Sequence, residues 1–177
     1  MISKMLFALR IIIKRYAKLS ATKMSKYKLR KAEEKDLEFL FEVSIKAMLP
    51  VRRVNKPDFE PNLEEEFKEY AKKFVPEKIQ VIQFGKKDVG RLRVVRAPDE
   101  IYVGGIQILP EYQEKGIGSA IFKDLVKESE KLKVPIKLEV AKVNKRGKKF
   151  YERFGFEKVG EKGTDWIMRY EAKEDRT

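Results

Sequence analysis

The sequence predicts an α/β fold built on a mixed β-sheet, and three observations support this prediction. The chain has 177 residues, of which 42% are hydrophobic, enough for one ordinary core and typical of one domain. Segments with the periodicity of strands and helices follow in the order strand, helix, helix, three strands, helix, strand, helix and two strands. The three successive strands have only turns between them, which indicates a mixed sheet rather than a purely parallel one.

The first strand and the first two helices are predicted from residues 27–74. Residues 27–32 alternate as a strand, and the three acidic residues among residues 33–36 suit the first turn of a helix. Residues 49–61 contain three prolines and are predicted as a loop. A charged helix is then expected over residues 63–74. The apolar faces of the two helices are Leu37, Leu40, Phe41, Val43 and Ala47 in the first, and Phe67, Tyr70, Ala71 and Phe74 in the second.

Three successive strands form the predicted centre of the sheet. Residues 78–84 and 89–95 alternate, and residues 85–88 between them have the composition of a hairpin turn. A second turn at residues 97–99 leads into the central strand, residues 101–109, which Pro110 ends. Gly104 and Gly105 interrupt this strand, as a β-bulge or a close backbone approach would.

A glycine-containing loop, residues 113–119, follows the central strand and opens an amphipathic helix that is predicted to begin at Gly118 or Ser119. The unpaired N–H groups of the first turn and the helix dipole favour an anion, and two glycines let a phosphate approach the backbone. Ile121 stands where a dinucleotide fingerprint needs a third glycine, and Gly118 lacks the following lysine of a P-loop. The apolar face of this helix is Ile121, Phe122, Leu125, Val126 and Leu132.

The remaining chain supplies another strand, a short helix and two final strands. Residues 136–143 are predicted as a strand that ends at Asn144, and the short helix after it carries Phe150 and Tyr151 before Gly155 closes it. Strands are expected at residues 157–160 and 166–170, with a turn between them. Residues 172–177 are expected to form a frayed, charged tail.

Two of these segments together resemble the GNAT superfamily of acetyl-CoA-dependent N-acetyltransferases. Gln113, Gly116 and Gly118, after an apolar strand, are similar to its motif A, and Asn144 and Tyr151, after the next strand, are similar to its motif B. The resemblance covers about residues 27–170. It implies a mostly antiparallel central sheet with one splayed pair of parallel strands and helices on both faces.

The resemblance also implies acetyl-CoA as cosubstrate, with the pyrophosphate on the loop amides and the pantetheine arm against the splayed strand. Asn144 is equally predicted to cap the short helix. Gly147 departs from the alanine that family members often have. The residues expected to bind the cosubstrate are Ile106, Ile108, Leu109, Gln113, Glu114, Lys115, Gly116, Ile117, Gly118, Ser119 and Asn144.

Tyr151 is the predicted catalytic residue. A phenol with a pKa near ~10 can donate its proton to a departing CoA thiolate, although a packed tyrosine bonded to the backbone would show the same pattern. The chain has no Cys and no His, so disulfides and thiolate catalysis are excluded, no metal site is expected, and direct acetyl transfer is predicted. The general base stays open among Glu100, Glu139, a tyrosine and a water chain.

The predicted function is therefore transfer of an acetyl group from acetyl-CoA to a primary amine of a small molecule or of a peptide or protein. The alternative is a non-catalytic acyl-CoA-binding regulatory domain. The helix and loop before the first hairpin commonly form one wall of the acceptor site in this family. A basic body disfavours polyamine acceptors, and a homodimer is left open.

Residues 1–23 are predicted to be a basic, apolar extension, with the acetyltransferase domain over residues 24–177 and Met24 as a natural start. Seven of the +13 formal charges lie in residues 1–26, which leaves +6 on a body of mixed sign. We expect neither a specific nucleic-acid partner nor stable membrane association, although a nucleic-acid-binding arm, a signal peptide and an amphipathic surface helix are alternatives for this segment. The Lys- and Glu-rich composition favours a cytoplasmic protein from a thermophile.

Overall fold

A computed structural model of the chain describes residues 27–173. The predicted extension over residues 1–23, and most of the predicted charged tail, lie outside the described residues. The strands are β1 Lys28–Lys31, β2 Gln80–Phe84, β3 Lys87–Arg96, β4 Ile101–Ile108, β5 Ile136–Ala141, β6 Glu157–Lys162 and β7 Asp165–Tyr170. The α-helices are α1 Leu37–Arg52, α2 Leu63–Lys72, α3 Ile117–Leu132 and α4 Lys145–Glu152, with short 3₁₀ turns at Glu34–Asp36, Pro76–Lys78 and Pro110–Tyr112.

The seven strands form one sheet in the order β1-β2-β3-β4-β5-β7-β6. Every pair is antiparallel except β4 and β5, which are parallel. The parallel pair is short, because it joins Ile101 to Ile136 and ends where Val103 meets Leu138. Beyond Val103 the two strands diverge, so β4 has a free edge on that side. The predicted mixed sheet with a splayed parallel pair is confirmed.

A β-bulge at Gly104 keeps the apolar residues of β4 on one face of the sheet. The pairing with β3 skips one residue, since Val94 lies opposite Val103 while Arg93 lies opposite Gly105. The extra residue restores the alternation, so that Ile106 and Ile108 lie in the same core as Ile101 and Val103. The predicted interruption at Gly104 is therefore a bulge.

The two faces of the sheet are covered by different helices. On one face, Phe122 and its neighbours in α3 pack with the apolar residues of β4 and β5 and with aromatic residues of α4. On the other face, Leu40 of α1 packs with Val81 of β2, with Tyr70 of α2 and with Phe74, which follows α2. The prediction of helices on both faces is confirmed. We call the second face, which α1 and α2 flank, the acceptor face, after the acceptor site that the family resemblance predicts there.

Several predicted boundaries were wrong, and α1 shows the clearest reason. It continues through Pro50 to Arg52, although the loop was predicted to begin at residue 49. A proline removes only its own N–H donor, and the next turn is still closed by the Arg53 N–H, which donates to the Leu49 carbonyl at 3.0 Å. Arg52 is further held by two hydrogen bonds to Glu66 of α2, at 2.8 and 2.7 Å.

Helix α3 and strand β5 also differ from their predicted extents. α3 begins at Ile117 rather than at Gly118 or Ser119, because Gly116 already caps it in a left-handed conformation. Leu132, predicted on the apolar face, is 53% exposed, whereas Ile121, Phe122 and Leu125 are buried. β5 ends at Ala141, since a turn occupies the last two predicted residues.

Within residues 27–173, no helix is both long and apolar enough to cross a membrane. The same residues contain no cluster of three or more acidic side chains placed to hold a metal ion.

Candidate functional site

The loop between β4 and α3 folds back onto the end of β4. The Leu109 N–H donates to the Val89 carbonyl at 2.9 Å, so the chain stays attached to β3 one residue beyond the end of β4. The side-chain amide of Gln113 donates to the Ile108 carbonyl, also at 2.9 Å. Gln113 therefore holds the loop to the strand, a role within the protein that its place in the sequence pattern did not reveal.

The loop backbone exposes the N-terminus of α3. Glu114 and Gly116 have φ angles of +61° and +78°, in the left-handed region that favours glycine. The first intrahelical bond of α3 runs from the Ala120 N–H to the Gly116 carbonyl at 2.9 Å. The amides of Ile117, Gly118 and Ser119 have no intrahelical acceptor, and α3 has neither a side-chain cap nor an acidic residue in its first turn. This end of the helix can therefore bind an anion.

Basic side chains surround this exposed helix end. The Lys115 ammonium lies 4.7 Å from the centroid of the Tyr112 ring. Glu114 forms an exposed ion pair with Arg146 at 3.1 Å, which bridges the loop to the first turn of α4. Four of the first five residues of α4 are basic, namely Lys145, Arg146, Lys148 and Lys149. Their charge makes the local potential more favourable to a polyanion.

The two sequence motifs meet at Gly118. A methyl group built on Gly118 would lie 3.5 Å from the ring of Phe150 in α4 and 3.8 Å from the side chain of Ile108 in β4. The first turn of α3, strand β4 and the second half of α4 are thus in direct contact at Gly118. This contact brings the predicted cosubstrate residues of both motifs into one region.

Tyr151 lies beside this junction within an aromatic cluster. Its ring centroid is 5.2 Å from that of Phe122, 5.4 Å from that of Phe150 and 6.0 Å from that of Phe156. The tyrosine is half-buried, and its hydroxyl makes no hydrogen bond to another described residue. Burial raises the pKa of Tyr151 to about 12, so the phenol stays protonated at neutral pH. The alternative of a packed tyrosine bonded to the backbone is not what the described residues show.

Asn144 caps α4, as one of its two predicted roles requires. Its side-chain oxygen accepts a hydrogen bond from the Gly147 N–H at 2.8 Å. A cap of this kind stabilises a helix by about 1 kcal/mol. Its second predicted role, in binding the cosubstrate, stays a prediction.

The departure at Gly147 is explained by this cap. An added Cβ at Gly147 would lie 2.6 Å from the side-chain nitrogen of Asn144 and 3.0 Å from its oxygen. We expect Gly147→Ala to displace the Asn144 side chain, so that the lost cap offsets the roughly 0.5–1 kcal/mol that alanine adds to a helix. Urea denaturation of Gly147→Ala, Asn144→Ala and the double variant measures this coupling. In the Asn144→Ala background, Gly147→Ala should be stabilising. If the two substitutions changed the free energy of unfolding by strictly additive amounts, the expected clash would be contradicted.

The two candidate carboxylate bases lie at different ends of the splayed pair. Glu100 precedes β4, at the end where β4 and β5 are paired. Glu139 follows Leu138, the last residue of β5 that pairs with β4. Glu139 therefore lies where β4 and β5 diverge. Its carboxylate, 22% exposed, accepts hydrogen bonds from the Lys162 ammonium at 3.1 and 3.3 Å. Only Glu139 of these two lies at the opening between the strands.

The acceptor face contains residues that the sequence interpretation did not single out. A groove of about 780 Å³ runs between α1 and α2, and a pocket of about 270 Å³ adjoins it through Tyr70 and Lys73. Arg91 and Arg93 of β3 line the smaller pocket. Both arginines alternate with Leu92, which is buried in the main core, so both lie on the opposite face of the sheet. This alternation is the sequence pattern from which their position could have been predicted.

Comparison with known proteins agrees with this geometry. Residues 76–158 match the family model described as an acetyltransferase (GNAT) domain. The PaiA N-acetyltransferase of Thermoplasma acidophilum, whose crystal structure contains coenzyme A, has 21% identity and a TM-score of 0.66, with 82% of this chain and 99% of that chain covered. The ribosomal-protein-S18-alanine N-acetyltransferase of Escherichia coli has 20% identity and a TM-score of 0.58, with 85% and 97% covered.

A third similar structure is an acetyltransferase of Thermus thermophilus, with 18% identity, a TM-score of 0.63, and coverage of 82% of this chain and 97% of that chain. No curated protein matches the sequence significantly. At these identities the similar structures establish the fold, and the family model matches residues 76–158 of the chain. The predicted fold and the predicted family resemblance are both confirmed.

Proposed function

We propose that this chain, which carries a GNAT acetyltransferase domain, transfers an acetyl group from acetyl-CoA directly to a primary amine. The acceptor is a small molecule or a peptide or protein. The observation that supports this proposal most is the junction at Gly118, where an uncapped helix N-terminus, the free edge of β4 and the aromatic cluster of Tyr151 meet.

The residues at this junction fit the chemical groups of acetyl-CoA. The free amides of Ile117 to Ser119 can donate to the pyrophosphate, with Lys115 and the basic start of α4 adding charge. The pantetheine arm contains amides, and the free edge of β4 after Val103 offers the backbone groups that an added strand would use. Ile106 and Ile108 lie in this part of β4, and Leu109 follows it. Glu114 and Gly116 shape the loop, Gln113 attaches it to β4, and Asn144 caps α4.

Acetyl-CoA supplies an activated acyl group. The chain orients the thioester and the amine and donates a proton. A neutral amine that enters from the acceptor face forms a C–N bond at the thioester carbonyl carbon, the C–S bond breaks, and the thiolate leaves. The Tyr151 hydroxyl, which burial keeps protonated, donates its proton to that sulfur. Glu139, at the opening between β4 and β5, is the better placed of the two carboxylates to receive the ammonium proton, directly or through water.

The proposal is tested by measuring acetyl-CoA consumption as free thiol across a panel of amines and peptide N-termini. The assay uses the full chain beside a form that begins at Met24, because we also propose that residues 24–177 contain the whole domain. We expect turnover with some amine, and equal affinity of both forms for acetyl-CoA. Thermal denaturation with acetyl-CoA supplies a readout that does not need an acceptor.

The outcomes separate the proposal from its alternative. Stabilisation by acetyl-CoA without turnover of any amine would favour a non-catalytic acyl-CoA-binding domain. An absence of stabilisation would contradict the assignment of the loop from Gln113 to Ser119 as the cosubstrate site. Loss of salt-sensitive nucleic-acid binding on removal of residues 1–23 would instead support the alternative of a basic binding arm.

A further inference from the structure

The smaller pocket on the acceptor face is strongly basic. It lies between the end of α2 and strand β3, and Lys73, Lys78, Arg91 and Arg93 contribute cationic side chains to it. No acidic residue of the described chain lines it. Its apolar and aromatic walls come from Tyr70 and the segment that follows α2. The pocket therefore concentrates positive charge in a partly enclosed volume of about 270 Å³.

Arg91 is half-buried and has no carboxylate partner among the described residues. One guanidinium nitrogen donates to the Tyr70 hydroxyl at 2.9 Å, and the guanidinium lies 5.5 Å from the centroid of the Tyr70 ring. Among residues 27–173 it forms no ion pair, and burial, with a smaller contribution from Arg93, lowers its pKa. A shielded cation without a counter-charge is costly in free energy, and an anionic ligand would reduce that cost.

Most other arginines of the described chain have carboxylate partners, including Arg52 and Arg96, which are more exposed than Arg91. Arg30 binds both Asp36 and Asp88. Arg52 binds Glu66 through two hydrogen bonds, and Arg96 binds Glu128 in the same way. In contrast, neither Arg91 nor Arg93 has a carboxylate partner in the part of the chain that the structure describes. The half-buried Arg91 therefore leaves room in this pocket for the counter-charge of an external carboxylate or phosphate.

The bulge in β4 allows Arg93 to lie over that strand. A methyl group on Gly104 would lie 3.1 Å from Cδ and 3.3 Å from Nε of Arg93, so the arginine side chain crosses Gly104 in close contact. Gly104 is the first residue of β4 beyond the paired segment. The charge of Arg93 thus lies near the point where the two strands begin to diverge.

Gln107 adds an unsatisfied hydrogen-bond acceptor beside Arg91. The two residues are paired across β3 and β4, which places their Cα atoms roughly 5 Å apart. The side-chain oxygen Oε1 of Gln107 is buried and has no hydrogen-bond partner among the described residues. A buried acceptor of this kind requires a donor such as an N–H group. The acceptor face therefore offers adjacent sites for an anion and for an N–H donor.

We propose that the acceptor is an amine that also carries an anionic group, a carboxylate or a phosphate, which Arg91 binds with Arg93 and Lys78. This inference rests on the proposed acetyltransferase function and narrows its substrate class. The planar guanidinium groups match the paired oxygens of either anion. Polyamines are disfavoured, because their second cation would face four basic residues.

The test compares acceptors that differ only in the anionic group. The pairs are 4-aminobutyrate with 4-aminobutanamide and phosphoethanolamine with ethanolamine, and spermidine is added as a polycation; the two pairs distinguish a carboxylate from a phosphate. We expect kcat/KM to be at least about 10-fold higher for the anionic member of the preferred pair. In Arg91→Gln the ratio of kcat/KM for the anionic acceptor to kcat/KM for the neutral acceptor should fall close to one. The cause should be a higher KM for the anionic acceptor, while the KM for acetyl-CoA stays unchanged.

Lys86→Gln is the matched control, because Lys86 is an exposed cation in the turn between β2 and β3, outside the pocket. It should keep the wild-type preference. Arg91→Lys should keep part of it, and Arg93→Gln provides a second variant if Arg91→Gln fails to fold. Equal or better use of neutral amines or spermidine by the wild-type protein would overturn the proposal.

A binding measurement keeps this test distinct from that of the proposed function. Calorimetry on the CoA-saturated full chain measures binding of inorganic phosphate, 4-aminobutyrate and 4-aminobutanamide without any turnover. Anion binding that Arg91→Gln loses and Lys86→Gln keeps would support the pocket even if no acceptor were acetylated. An absence of anion binding in the wild-type protein would overturn the pocket while leaving the acetyltransferase proposal standing.

Discussion

Replacing Tyr151 by phenylalanine is expected to lower kcat for acetyl transfer by roughly 10²- to 10⁴-fold, the range typical of a lost general acid or base. The hydroxyl has no hydrogen-bond partner among the described residues, so its removal should leave the fold intact. The KM for acetyl-CoA should change little, because the aromatic contacts with Phe122, Phe150 and Phe156 persist. Steady-state kinetics with free-thiol detection measures both quantities.

The pH dependence gives this prediction a second readout. A general acid must be protonated to act, and burial raises the pKa of Tyr151 to about 12. The wild-type rate should therefore rise with pH as the acceptor amine or its base loses a proton. It should not fall from loss of the acid until the pH approaches that value. A decline centred near pH 10 would indicate a phenol with an ordinary pKa and would contradict the buried environment.

Tyr27→Phe is the matched control for Tyr151→Phe. The Tyr27 hydroxyl donates to Asp124 at 2.7 Å, in the part of α3 that lies beyond its first turn. Its loss should lower the free energy of unfolding by about 1 kcal/mol and leave kcat unchanged. Tyr151→Phe should thus lose kcat and keep its stability, whereas Tyr27→Phe should lose stability and keep its kcat. An unchanged kcat in Tyr151→Phe, or an equal loss in both variants, would remove Tyr151 from the proposed chemistry.

The sequence predicted the fold and the position of the loop between β4 and α3 well, because those features depend on local pattern. The alternation of β4, the two loop glycines and the apolar face of α3 are each visible within a few residues. Gly104 could be read as a bulge because glycine is rare inside a strand without such a reason. The end of α1 was predicted wrongly because of Pro50. One missing N–H donor does not end a helix when the hydrogen bonds of its next turn are made.

The surroundings of the polar side chains on the acceptor face could not be predicted from the sequence, because they depend on contacts between distant segments. Arg91 looked like one of many cations on a mixed surface, and only the fold shows that Tyr70 of α2 shields it. Gln107 looked like an ordinary polar strand residue until its side-chain oxygen was found buried without a partner. The role of Gln113 similarly requires the Ile108 carbonyl to lie within reach.

Gly90→Ala is expected to destabilise the protein by roughly 3 kcal/mol, near the upper end for an overpacked core position. Gly90 is buried in β3 opposite Ile108. An added Cβ would lie 2.4 Å from the Gln107 carbonyl oxygen and 3.1 Å from the Ile108 Cα. Both are backbone atoms that no rotamer change can move, so β3 and β4 must separate. Urea denaturation measures the loss, and the melting temperature should fall by roughly 10 °C.

The same substitution should also weaken cosubstrate binding, because it displaces β4 where Gln113 attaches the loop to Ile108. We therefore expect a higher KM for acetyl-CoA in Gly90→Ala. Gly160→Ala in β6 is the matched control, since its Cβ would lie 3.6 Å from the Ile167 side chain, an ordinary contact. It should be neutral, or stabilising by up to about 1 kcal/mol, with an unchanged KM. If the two variants were equally stable, the close approach of β3 to β4 at Gly90 would not be what fixes the position of the loop.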